Sequence, residues 1–110
     1  MASDLTILFD EIGALIDAPI NGDRAQALAR IERTLTDGYA QALSLEAERL
    51  RLERRIGEVA VELTDRNKEL KADELALLGR RLTTASDELA RLRESLGGLR
   101  DRADEIREAA

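Results

Sequence analysis

Two leucine-rich heptad repeats that do not share a phase constrain this chain more than any other feature. From Leu28 to Leu63, one core position is filled by Leu28, Leu35, Ala42, Arg49, Ile56 and Leu63. The other is filled by Ile31, Gly38, Leu45, Leu52 and Val59. A second repeat runs through Leu75, Leu82, Leu89, Leu96 and Ala103, with Leu78, Ala85, Leu92, Leu99 and Ile106. Continuing the first repeat would place core positions at Leu70 and Leu77 instead of Leu75. A phase break between two long heptad runs predicts a turn, so the chain is expected to fold back on itself.

The punctuation of the chain divides it accordingly. A first helix is expected over 4–17, with Ser3 as its N-cap and Leu5, Leu8, Phe9, Ile12, Leu15 and Ile16 forming one apolar stripe. Ala18-Pro19-Ile20-Asn21-Gly22 should end it, and Asp23 should cap a second helix over 23–66. Thr36-Asp37-Gly38 reads locally as a turn, but the repeat keeps its phase through Gly38, which favours a continuous helix. A turn over 67–72 follows, with Asn67 as a left-handed terminator and Asp73 as the cap of a third helix over 73–108. The expected fold is therefore all-α, a single helical domain of 110 residues. It is a long antiparallel coiled-coil hairpin with a short N-terminal amphipathic helix packed at its open end.

Folding back at 67–72 sets a register. Leu63 would face Leu78, and Val59, Ile56, Leu52 and Arg49 would face Leu82, Ala85, Leu89 and Leu92. Leu45, Ala42, Gly38 and Leu35 would face Leu96, Leu99, Ala103 and Ile106. Large residues then often meet small ones. On the flanks Glu32, Tyr39 and Glu46 would lie beside Arg107, Arg100 and Arg93. Glu62 would meet Arg81, and Arg55 would meet Glu88. Exposed ion pairs contribute about 0.2–1 kcal/mol each, against roughly 1.5–3 kcal/mol for a buried Leu. Leucines should supply stability and charges should choose orientation. Arg49, at a core position, is expected to snorkel or to fix register.

Composition supports helices and excludes several chemistries. Charged residues are 36% and aromatic residues 2%, a balance suited to long helices rather than to a thick globular core. The chain has no Cys and no His, which removes disulfides, thiol chemistry, the usual zinc sites and imidazole bases. No cofactor or metal is expected. The net charge of −6 is concentrated at the start, where Asp4, Asp10, Glu11, Asp17 and Asp23 meet no Lys or Arg. Without a basic stripe, neither nucleic acid nor an anionic membrane is an expected partner. Asp10 and Glu11 interrupt the apolar start, which argues against a signal peptide or membrane span and for a cytoplasmic location. Arg outnumbers Lys 15 to 2, as a GC-rich bacterial coding sequence would produce.

No catalytic constellation is present. Ser44, Thr64, Thr83, Thr84 and Ser86 have no histidine to activate them, and Gly97-Gly98 follows no strand, so it is not a phosphate loop. Those glycines either weaken the helix or let another helix approach. Adjacent carboxylates such as Asp104 and Glu105 belong to solvated faces.

The tip, from Asp65 to Glu74, carries charges of both signs. It resembles the tips of coiled-coil factors that enter the RNA polymerase secondary channel, although their tip pattern and second globular domain have no counterpart in these residues. In size and lack of cysteine the chain is also similar to the helical-hairpin substrates of type VII secretion, without their Trp-x-Gly turn.

A non-enzymatic protein-interaction or scaffold module, expected to self-associate, is the leading reading. Its candidate surface is Phe9, Ile12, Ile16, Tyr39, Leu43 and Leu50, with the protein partner unspecified. The alternative is a regulator that inserts its tip, with Asp65, Asp73 and Glu74, into a larger enzyme such as RNA polymerase.

Overall fold

The phase break is resolved as a helical hairpin with a short N-terminal helix. The computed structural model describes residues 4–20 and 22–109. Among them α1 spans Asp4–Asp17, α2 spans Arg24–Glu62 and α3 spans Lys68–Glu108. The Ser3 cap and the Asn21 of the first turn lie outside the described residues. Gly22 takes the left-handed conformation, with φ of 86°. Asp23 then caps α2: its Oδ1 accepts the N–H groups of Ala25 and Gln26, at 2.9 and 3.3 Å. These are donors that the first turn of a helix leaves without intrahelical partners.

α2 passes unbroken through Gly38. It stops at Glu62, four residues before the expected Arg66, and α3 starts at Lys68 instead of Asp73. Asn67 accounts for both ends. Its side-chain amide donates to the Glu62 carbonyl at 3.1 Å, while its Oδ1 accepts the Thr64 N–H at 2.7 Å. Its own carbonyl accepts the Lys71 N–H at 2.9 Å, the opening bond of α3. Asn67 therefore ties two helix ends together. It is not a left-handed terminator, because no described non-glycine residue has positive φ. Asp73 falls inside α3.

The chain divides into two compact units, residues 1–42 with 91–110, and residues 43–90. The first is a three-helix unit. Its core joins Leu8 and Ile12 of α1 to Ile31 and Ala42 of α2 and to Leu92, Leu96, Leu99, Ala103 and Ile106 of α3. Contacts from Phe9 to Arg91, Ile16 to Gly98 and Ala18 to Arg102 ascend together, so α1 runs parallel to α3. It runs antiparallel to α2. Asp4, Ile7, Leu8 and Glu11 share a groove with Asp37 and Gln41, whereas Leu15 and Ala18 share one with Gln26, Ala27 and Ile31. Thr34, buried at this face, donates to Glu11 Oε1 at 2.9 Å, so its hydroxyl is satisfied.

The second unit is a two-helix unit. Leu52, Val59, Leu78 and Ala85 form its buried cluster, with Ile56, Leu75 and Leu82 packed against it.

In both units the register differs by one heptad from the one expected. In the three-helix unit Leu96, not Ala103, sits over Gly38: a methyl placed on Gly38 would overlap the Leu96 side chain, with Cγ at 3.3 Å. In the two-helix unit Glu48 shares a groove with Arg81, Thr84, Ala85 and Glu88, which levels it near Ala85. Arg55 bonds Glu74 and Glu62 bonds Lys71, in place of the expected Glu88 and Arg81. The repeat then brings Leu52 to Leu82, Ile56 to Leu78, Val59 to Leu75 and Arg49 to Ala85. Arg49 is partly exposed and its Nε lies 3.9 Å from Glu53.

The physical reason is the turn. Moving its centre from 67–72 to 63–67 displaces α3 by a whole repeat, and a seven-residue pattern presents the same apolar classes after such a move. The expected Glu32–Arg107 pair survives at 3.5 Å. Side chains on each helix lean toward its own N-terminus, so long antiparallel partners meet between residues that are not level in the backbone.

Candidate functional site

The residues expected to form one interaction surface are placed in different roles. Ile12 is 1% exposed and belongs to the core of the three-helix unit. Phe9 is half-buried, with the Arg91 guanidinium 4.0 Å from its ring centroid. Ile16 is half-buried against α3, where a Cβ on Gly98 would stand 3.4 Å from its Cδ1. Gly98 thus faces another helix, at ordinary contact distance. Tyr39, also in this unit, is exposed.

Arg102 fastens the end of α1. Its Nη2 donates to the Ala18 carbonyl at 2.7 Å and its Nη1 pairs with Glu105 at 2.9 Å. A cation at a helix C-terminus satisfies carbonyls that have no intrahelical donor and opposes the negative end of the dipole. Arg24 likewise donates to the Ala109 carbonyl, joining the start of α2 to the end of α3.

In the two-helix unit the outer side of α2 is aliphatic. Leu43 is 66% exposed, Leu50 is 54% exposed and Val61 is 87% exposed. With Ala47, Arg54 and Gly57 they recur every three or four residues, which aligns them on one helical face. Leu43 and Leu50 were read from the sequence. Val61 was missed, although the same spacing leads to it through Arg54 and Gly57.

The structure places the residues expected at the tip in different settings. Asp65 lies in the turn, while Asp73 is exposed on the first turns of α3. Glu74 is occupied: its Oε1 accepts from Arg55 Nη2 at 2.8 Å, and Lys71 Nζ stands 3.7 Å from its Oε2. Glu62 accepts from Lys71 at 2.9 Å and lies 3.8 Å from Arg55. Arg55 also reaches Glu58 at 3.3 Å. The hydrogen bond from Lys71 holds the Glu62 carboxyl below its ordinary pKa, and the same bond raises Lys71. The bond to Glu74 raises Arg55. These charges hold α2 to α3 and set orientation at the exposed edge of the seam. Leu63, Leu70 and Leu77 are exposed, Leu70 at 77%.

Among the described residues no group of three or more Asp or Glu is arranged to hold a metal ion, and no helix is long and apolar enough to cross a membrane. No protein-family model, curated protein or solved structure matches the chain.

Proposed function

We propose that this protein is a non-enzymatic interaction module, and that the aliphatic back of α2 in the two-helix unit is where it binds a second copy of itself. The observation that carries this reading is the exposure of Leu43, Leu50 and Val61 along one helical face. A solvated helix ordinarily presents charge on such a face, and contiguous exposed apolar surface marks interaction sites.

The face is also self-complementary. In a two-fold antiparallel pairing centred on Leu50, Leu43 of one copy meets Gly57 of the other, large on small. Glu46 then comes level with Arg54 of the other copy, and this attraction occurs twice. One patch serving both partners is the ordinary design of a two-fold dimer.

Sedimentation tests the proposal. The protein should sediment as a dimer at micromolar concentration, and Leu50→Glu should produce a monomer with unchanged helical circular dichroism. A wild-type chain that is monomeric at high concentration, or a variant that remains dimeric, defeats it.

A second reading draws on Leu70, exposed beside Asp65, Arg66, Lys68 and Glu69 around the tip. Under that reading the tip enters a cleft of a larger enzyme. Leu70→Glu combined with Asp65→Asn should then remove the regulatory effect without changing the sedimentation of the protein.

A further inference from the structure

We propose that the dimer interface continues from α2 onto α3, and that a second copy lays its own α3 antiparallel along the side of the two-helix unit formed by Ala76, Gly79, Thr83, Ser86 and Ala90. This rests on the dimer reading above and deepens it, by assigning what else of the second copy lies against the first.

The two sides of the seam differ in charge. On one side Arg55 and Glu62 of α2 meet Glu74 and Lys71 of α3, and Glu48 shares a groove with Arg81 and Glu88. On the other side of the buried line of Leu78, Ala85 and Leu89, helical spacing sets Gly79 and Ser86 beside the seam and Ala76, Thr83 and Ala90 outside them. None of these residues is charged, in a chain that is 36% charged. Ala76, Thr83 and Ala90 are exposed, and Gly79 and Ser86 are half-buried. The charges of the same stretch, at Asp73, Arg80, Arg81, Asp87 and Glu88, fall elsewhere on the helix. On α2 this side carries Leu43, Leu50 and Gly57, so the uncharged face of α3 continues the aliphatic face assigned to the dimer.

Two glycines here have no role inside the chain. A Cβ built on Gly57 or Gly79 would meet no atom within 4 Å, and neither residue takes positive φ. Glycine is a poor helix former, so each weakens its helix with nothing in the monomer to offset it. A second helix laid close over them uses the room they leave. Thr83 suits the same contact. Its Oγ1 donates to the Gly79 carbonyl at 3.0 Å, so the hydroxyl enters a dry interface already satisfied.

Size and symmetry select a second copy as the occupant. A stable interface takes about 20–30 residues from each partner, well beyond what the back of α2 offers between Leu43 and Gly57. The α3 face roughly doubles that contribution. Because Arg49 and Leu52 are level with Ala85 and Leu82, the two-fold axis through Leu50 passes α3 beside Thr83. Thr83 then meets its own counterpart, and Ala76 and Gly79 of one copy meet Ala90 and Ser86 of the other. These contacts are small on small, and no charge is buried by them.

Cross-linking and sedimentation of the full chain test this, since it has no cysteine of its own. Thr83→Cys should give a disulfide-linked dimer under mild oxidation, and Thr84→Cys, turned toward the charged side, should not. Gly79→Gln touches nothing within the chain but overfills the contact with the second copy. It should raise the Kd of self-association by at least about tenfold, with helical circular dichroism kept or increased. Leu77→Gln, away from this face, should leave Kd unchanged. If Leu50→Glu gives a monomer while Gly79→Gln leaves Kd unchanged, the dimer uses α2 alone: the α3 contact is then wrong and the dimer reading stands. Cross-linking that is absent in Thr83→Cys, or equal in Thr84→Cys, overturns the contact as well. So does loss of helicity in Gly79→Gln, which would give that glycine a role inside the chain. A wild-type chain that stays monomeric at high concentration defeats both readings.

Discussion

The three-helix and two-helix units are built from the same pair of helices, but they dispose of their apolar side chains differently. In the first, α1 contributes Leu8 and Ile12 to the core, and among the described residues the exposed large apolar ones are Ile7, Ile20 and Tyr39. In the second, Leu43, Leu50, Val61, Leu63, Leu70 and Leu77 are all exposed. A helix pair encloses one narrow seam, whereas a third helix laid along it buries a second face of each partner. Specific fastening accompanies that coverage. Thr34 with Glu11, Arg102 with the Ala18 carbonyl, and Arg91 with Phe9 bind α1 at separate points. The two-helix unit is joined across its seam by leucine layers and an exposed ionic network around Arg55 and Lys71. The first unit encloses most of its large apolar residues, and the second leaves several of them exposed.

The largest break in this contrast should come from the enclosed core. Leu99 is fully buried, and Leu99→Ala should destabilise the protein by about 2–5 kcal/mol in urea unfolding. Leu50→Ala, on the exposed face, should stay within about 0.5 kcal/mol for the monomer. Equal penalties would mean that the two units are not distinguished by burial.

Arg102→Ala removes the bond to the end of α1 and should weaken the docking of that helix by about 1.5–3 kcal/mol. Hydrogen exchange reads this directly: amides of α1 should exchange at least about tenfold faster, while those of residues 43–90 hold their rates. Uniform acceleration would show that Arg102 serves the whole chain and not α1.

A smaller loss, about 1 kcal/mol, is expected for Asn67→Ala, which leaves the Glu62 carbonyl and the Thr64 N–H to water. A thermal melt should register it as a fall of a few degrees.

The smallest effect is that of acid. A carboxylate whose pKa is lowered in the folded state contributes stability that is complete above its unfolded value and is lost as pH falls through the folded one. Stability from Glu62 should therefore be flat from neutrality to about 4.5, its ordinary value, and decline below it. Lys71 and Arg55 are raised, so their contributions persist until strongly alkaline pH. Glu62→Gln should remove part of the acid-dependent decline, and a pH profile unchanged by that substitution would show that the pair contributes nothing to folding.

Much of the architecture was legible in the sequence because it rests on strong local signals. The apolar stripe from Leu5 to Ile16 gave α1, Asp23 gave the start of α2, and the unbroken phase carried the helix through Gly38. The turn was not legible, because Asp73 resembles an N-cap as closely as any residue near it. Asn67 acts through two side-chain bonds, one to the end of the preceding helix at Glu62 and one to Thr64 in the turn, which no spacing rule exposes. The register then followed the turn into error, since heptad periodicity cannot register a displacement of one heptad. Only the size of the residue facing Gly38 discriminates. Leu43 and Leu50 fall outside the two core positions of the repeat and were read as apolar surface beside the seam; both are exposed. Ile12 could not be separated from them by hydrophobicity alone, as its burial depends on where α1 lies. Glu74 was expected at the tip because α3 was expected to start at Asp73; with α3 starting at Lys68 it lies within the helix, where Arg55 reaches it.

The shortness of the bend has a consequence for assembly. Leu63 to Asn67 is all that separates the helices, and a tether of that length presents one partner to the other at an effective concentration on the order of millimolar. A foreign helix must approach such a concentration before it can displace α3 from its seam. On the dimer reading proposed above, a second copy is thereby directed to the outer face of α2, where no tethered helix competes.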